Sequence, residues 1–344
     1  MKRVAAVEKV SKIYSRGLFK KRLISAVQSV SLEVSSGELI SVVGESGSGK
    51  TTLGKMMTGL VLPTSGRLIW RDVDVIENGR IVNREFYSSN RHRYIYVHQD
   101  PYSALNPSKN VWDTLSPVVN KYKKHLGTSD KYKTVIELLE EVGLVPADYF
   151  IDKYPHHLSG GMRQRLALAR ALAADPHFIV ADEIVSMVDP SIRVSLVNLL
   201  KNIVKARNIS VMFISHDLGI SVYAAENNFM YVMLNGVIVE YGPAYEIAYS
   251  PEHPYTRALI SNTSVPLPSR EKRVRELDGV AVDDSKPRPN TLCPFASLCP
   301  FVDSECSSFE LGFYLKAGDK HFSACLKTGK LPKWRPSWFQ TLSG

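Results

Sequence analysis

Eight residues, GESGSGKT at 44–51, match the pattern G-x-x-x-x-G-K-[ST] in full. The chemistry that this spacing serves is phosphate binding. Gly44, Gly47 and Gly49 allow a tight curl, so that the N–H groups of the loop, through Glu45, Ser46 and Ser48, turn inward on an anion. A helix that starts at the end of the loop adds the partial positive charge of its first turn, where Thr51 and Thr52 stand. Lys50 can reach β and γ phosphates, and the Thr51 hydroxyl can hold Mg²⁺. The apolar run ELISVV before the loop reads as a strand, and LGKMMTGLVLP after it reads as a helix that stops near Pro63.

Two further stretches carry related chemistry. HFIVADE at 177–183 is a short apolar run that ends in Asp182 and Glu183. A buried strand with a carboxylate at its tip suits a Mg²⁺ ligand, and the next carboxylate would polarise an attacking water. Taken singly, such a pair is as often a solvated strand end. LSGGM at 158–162 opens a helix-patterned segment, so Ser159, Gly160 and Gly161 offer free N–H groups and a hydroxyl to a second anion. One nucleotide cannot easily use both anion sites of one chain. Head-to-tail pairing of two such chains resolves this, each lending its Ser-Gly-Gly to the other's nucleotide.

The order of these motifs resembles that of the ATP-binding subunits of ABC transporters. Gln99 follows YIYVH, SMVD ends in Asp189, and His216 follows VMFIS. The resemblance implies Glu183, His216 and Gln99 as catalytic residues, with Thr51, Gln99 and Asp182 at Mg²⁺. It also implies that Tyr14 stacks on adenine and that Asp189 joins the nucleotide site. Two departures stand out: Met162 where Gln is common, and Ile184 where proline usually follows the glutamate. QDPYSALNPS and SPEHPYTRALIS are similar to phrases in importer ATPases for oligopeptides and dipeptides, a family whose related members take nickel or oligosaccharides. From this resemblance follow a second ATPase subunit, an identical copy or, as is usual in the family, a different chain, with two membrane permease subunits, an extracellular substrate-binding protein, and a peripheral place on the cytoplasmic face of the cell membrane. Pro101 to Pro107 are expected to touch the permease. The alternative from another class is a soluble ABC ATPase that acts on ribosomes or nucleic acid.

The remaining chemistry lies near the end. Cys293, Cys299, Cys306 and Cys325 are the only cysteines, spaced C-x₅-C-x₆-C-x₁₈-C. Structural zinc sites favour C-x₂₋₄-C pairs, so the wider spacing argues mildly for a [4Fe–4S] cluster over Zn²⁺. The resemblance points the same way, since peptide-importer ATPases carry Cys-rich extensions that hold such a cluster. Unligated or disulfide-bonded thiols remain open. Few apolar residues between 285 and 330 could form a core of their own, which gives a cluster a structural task.

The elements that must position these groups read as an α/β chain. Of 344 residues, 44% are hydrophobic and 22% charged, enough for a large core without covalent staples. No signal pattern and no apolar run long enough for a membrane span appear. The net charge of +9 is spread in small clusters without an aromatic RNA-binding motif, so no nucleic-acid partner is expected. Strands alternating with helices indicate a parallel sheet. The resemblance makes this a P-loop NTPase core of ABC type, with an antiparallel β subdomain, an inserted helical subdomain at about 101–160, and a small Cys-rich C-terminal extension. The expected domains are 1–250 for ATP binding and 251–344 for the extension.

Overall fold

The computed structural model describes residues 2–16, 22–100, 105–186, 188–263, 276–277, 280–281, 291–332 and 334. Two sheets organise the first 250 residues. The smaller is antiparallel and five-stranded. It contains β1 (Arg3–Arg16), β2 (Arg22–Ser35), β4 (Ser65–Trp70), β5 (Val73–Glu77) and β6 (Arg80–Ile81), in the order β2-β1-β4-β5-β6. The larger holds β3 (Leu39–Val43), β7 (Tyr94–Val97), β8 (Phe178–Asp182), β9 (Ser210–Ser215), β10 (Phe229–Leu234) and β11 (Val237–Pro243). Within it β10, β3, β9, β8 and β7 run parallel in that order. Strands β3, β8 and β9 are buried throughout, which is why they read as unbroken apolar runs. The Asn-Gly at 235–236 turns β10 into β11 with φ of 45° and 85°, as a two-residue hairpin requires.

Helix α1 (Lys50–Met57) lies between the two sheets. Leu53, Met56 and Met57 share one buried cluster with Val7, Val30 and Trp70 of the small sheet and with Ile40, Val180 and Ile214 of the large one. Trp70 is fully buried, stacks on Tyr94 at 3.9 Å, and donates from its indole N–H to the Met57 carbonyl at 3.0 Å. The helix behind the phosphate loop is thus clamped at its C-terminal end by an aromatic with a satisfied donor.

After α2 (Arg84–Asn90) and β7 come α3 (Val111–Tyr122), α4 (Thr128–Glu141), α5 (Ala147–Phe150) and α6 (Gly160–Leu172). Val111, Leu115, Val135, Leu138, Leu139, Leu166 and Leu172 pack them together and onto the large sheet. The sequence places Pro101 at the head of this helical region; residues 101–104 lie outside the described ones. Helices α7 (Pro190–Arg207) and α8 (Leu218–Ala224) complete the layer, and α9 (Ala244–Tyr249) and α10 (Pro254–Thr263) follow β11.

The C-terminal residues do not stand apart. Besides a short ladder of β12 (Glu276–Leu277) with β13 (Val280–Ala281), two short strands, β14 (Leu315–Lys316) and β15 (Phe322–Ser323), extend the large sheet to eight strands beyond β11. They cover an edge whose unpaired backbone would otherwise invite association. Among the described residues no helix is long and apolar enough to cross a membrane.

Candidate functional site

The loop between β3 and α1 curls as its glycines allow. Gly44 has φ of 152°, and a Cβ there would stand 2.1 Å from the Met233 carbonyl oxygen. Gly49 has φ of 102°, with the Ala26 carbonyl oxygen 2.2 Å from the same point. No other residue fits either place. Lys50 is buried, and its ammonium donates to the carbonyls of Gly44 and Glu45, both at 2.8 Å, and to Ser48 Oγ at 3.3 Å. Burial lowers its pKa, while the charges of Glu183, Asp182 and Glu45 oppose that shift.

Asp182 ends β8 beside this loop. Thr51 Oγ1 donates to Asp182 Oδ2 at 2.8 Å, and the Tyr96 hydroxyl donates to the same oxygen. The other oxygen, Oδ1, is buried without a hydrogen-bond partner among the described residues. A buried carboxylate oxygen left open beside a threonine hydroxyl fits a Mg²⁺ ligand. Tyr96 escaped the sequence reading. Its place two residues after Tyr94 on β7, facing the same side, is the signal that could have found it.

Glu183 sits one step past the strand end, with φ of 48°. This left-handed backbone is rare for a non-glycine residue, and strain of this kind collects at functional sites. Its N–H is held by the Ile214 carbonyl at 2.9 Å. Its carboxylate lies between the two residues named with it. Gln99 Nε2 donates to Oε2 at 2.8 Å, and His216 Nδ1 stands 3.3 Å from Oε1. Gln99 also reaches Ser186 Oγ at 3.4 Å. Three residues 117 positions apart in sequence (99 to 216) are thus gathered at the C-terminal ends of neighbouring strands.

Ser159 caps α6, its side chain accepting the N–H of Met162 at 3.3 Å. Ser159, Gly160, Gly161, Ser186, Asp189 and Arg193 border an open cleft of about 480 Å³. None of residues 44–52 lines it, so the two stretches expected to bind anions are separate places. Tyr14, on β1, is 38% exposed, with the Lys12 ammonium 5.2 Å from its ring centre. No described contact ties it to the loop.

The four cysteines line one small cavity of about 20 Å³ with Phe295, Phe309 and His253. No disulfide bond joins any of the four, so the disulfide alternative does not describe this state. Burial pushes Cys325 up to about 12, and the nearness of the other three sulfurs adds to the shift. Burial likewise raises Cys293. Cys293 and Cys325, whose charge burial and neighbouring sulfurs penalise, suit in kind a centre that supplies positive charge. Yet among the described residues no three His, Cys, Asp or Glu side chains stand close enough to hold a metal ion. The expected ligand set is gathered but not closed: the thiols pack among the phenylalanines as small apolar groups.

Known proteins are similar to this chain. A family model described as "ABC transporter" matches residues 27–186, and one described as "Oligopeptide/dipeptide transporter, C-terminal region" matches 239–306. The oligopeptide transport ATP-binding protein OppF of Haemophilus influenzae is 34% identical over 311 residues, 90% of each chain. The putative oligopeptide transport ATP-binding protein YkfD of Bacillus subtilis is 37% identical over 290 residues, 83% of this chain and 85% of that one. Among solved structures, the ATP-binding cassette MJ0796 as a dimer bound to ADP and Pi aligns with a TM-score of 0.59 at 26% identity, covering 68% of this chain and 96% of that one. With the phosphate loop, the two strand-end carboxylates and the C-terminal region all accounted for, the chain belongs to the ABC transporter ATP-binding subunits of the oligopeptide/dipeptide importer family.

Proposed function

We propose that this chain hydrolyses ATP to energise a membrane importer of oligopeptides or dipeptides, or of a related solute such as an oligosaccharide. The observation that carries the ATPase reading is the Glu183 carboxylate held between Gln99 and His216, beside Lys50 and the open oxygen of Asp182. The importer reading rests on relatives whose names are those of oligopeptide transport ATP-binding proteins.

In this reading Lys50 leaves the Gly44 and Glu45 carbonyls for the β and γ phosphates, and the N–H groups of 46–52 close around them. Thr51, Asp182 and Gln99 would hold Mg²⁺, which neutralises charge on the phosphates when bound. Glu183 accepts the proton of the attacking water, and His216 orients the γ-phosphate. The Tyr14 ring covers the adenine. Ser159, Gly160, Gly161 and Asp189 complete the nucleotide site of a second ATPase subunit, a different chain paired head to tail. The partners are two permease subunits, reached through Pro101–Pro107, and an extracellular binding protein, with this chain peripheral on the cytoplasmic face. Cys293, Cys299, Cys306 and Cys325 would hold a [4Fe–4S] cluster, or Zn²⁺ as the other metal for such donors.

Purification from detergent extracts tests the importer. Permease subunits and a second ATPase should co-purify, and the complex in proteoliposomes should take up peptide only with ATP. Co-purification with ribosomes instead would favour the soluble alternative. Anaerobic purification tests the cysteine centre: brown protein with iron and sulfide is expected, and colourless protein with stoichiometric zinc would reverse the choice of metal.

A further inference from the structure

Tyr255, near the start of α10, is 3% exposed and belongs to the C-terminal region, yet its hydroxyl accepts the N–H of Glu45 in the phosphate loop at 3.1 Å. That N–H belongs to the peptide unit joining Gly44 to Glu45. The carbonyl of the same unit accepts the Lys50 ammonium at 2.8 Å. One peptide plane is therefore gripped at both ends, by the phosphate-binding lysine and by a tyrosine 210 residues away.

The tyrosine is itself supported from both sides. Its own N–H donates to the buried His253 Nδ1 at 3.1 Å, and the His253 N–H donates to the buried Glu240 at 3.1 Å. Its ring meets Phe295 edge-on at 5.7 Å. Phe295 lines the cavity that the four cysteines share. Val43, the last residue of β3, packs in one cluster with Tyr255, Phe295, Cys293 and Cys299. A continuous set of contacts thus runs from the cysteine cavity to the phosphate loop.

We propose that Tyr255 is a positioning residue for the phosphate loop, and that through Phe295 and Tyr255 the cysteine-lined cavity sets how tightly the chain holds ATP. The proposal rests on the ATP-binding reading above. The hydroxyl fixes the Gly44–Glu45 plane, so that the N–H groups that follow it keep their inward aim. Without it the plane can rotate, and ATP must order the loop on binding. A shift of Phe295, driven by any change in the packing of the four thiols, moves the Tyr255 ring and loosens the same plane.

The test uses the full chain with Mg²⁺ and radiolabelled ATP in equilibrium dialysis. Tyr255→Phe keeps the ring and removes only the hydroxyl. Loss of one hydrogen bond should weaken ATP binding by about 2- to 10-fold. In the same variant, hydrogen exchange in the peptide that contains Glu45 should quicken, which a general loss of packing would not confine to that place. Phe295→Leu should weaken binding in the same direction, and the double variant should be no weaker than Tyr255→Phe alone, because both act on one plane. Tyr255→Phe with wild-type affinity overturns the proposal, and effects that multiply in the double variant overturn the path through Phe295. A wild-type chain that binds no ATP overturns the ATP-binding reading as well.

Discussion

Glu183→Gln should leave ATP bound and stop its turnover. The amide fills the same space between Gln99 and His216, so the cradle of Lys50, Thr51 and residues 44–49 is untouched. What is lost is the acceptor for a proton of the attacking water, a loss of about 10²–10⁴-fold in rate. The measurement is phosphate release by the assembled complex, alongside ATP binding to the isolated chain. Wild-type turnover in the variant would remove Glu183 from the reaction. Ser159→Arg in the same assays separates the two anion sites. It should spare ATP binding to its own isolated chain and impair hydrolysis in the pair, since its cleft shares no lining with the phosphate loop. Loss of ATP binding by the isolated Ser159→Arg chain would count against the head-to-tail arrangement.

Glu240→Ala should release the C-terminal extension. Glu240 is wholly buried on β11 and accepts from the backbone N–H of Glu252 at 2.6 Å and of His253 at 3.1 Å. It also meets His321 Nε2 at 2.7 Å, and His321 lies just before β15 in the extension. Removing one partner of a buried ion pair costs about 3–5 kcal/mol, reduced here by Glu246, which stays 3.5 Å from His321 Nδ1. Burial pulls the His321 pKa down, but the Glu240 hydrogen bond, with the charges of Glu240, Glu246 and Glu252, more than offsets it and leaves it raised above the ordinary 6.5. A raised pKa in the folded state means that the charged histidine favours folding. Its contribution is complete below pH 6.5 and fades as pH climbs through the raised value. Protease cleavage within 291–332 should quicken in that upper range for the wild type, and at every pH for Glu240→Ala. An unchanged cleavage rate and melting midpoint in Glu240→Ala would show that the pair does not hold the extension.

Much of the site was readable in residue order alone. The G-x-x-x-x-G-K-T spacing, the Asp182-Glu183 strand end and the Ser-Gly-Gly helix start are local signals: each needs only a few neighbouring residues to state its chemistry. The parallel sheet was readable too, because strands buried on both faces must be apolar throughout. Contacts between distant segments were not. Tyr96 on Asp182, Tyr255 on the Glu45 N–H and His321 on Glu240 join residues 81 to 210 positions apart, and a lone tyrosine or histidine looks the same in sequence whether it fills a core or grips a loop. The extension shows the same division. Four cysteines in an otherwise cysteine-free chain announce a shared purpose, and folding alone brings them to one cavity. That β14 and β15 would join the ATPase sheet depends on an open backbone edge at β11, and a sheet edge exists only once the strands have assembled.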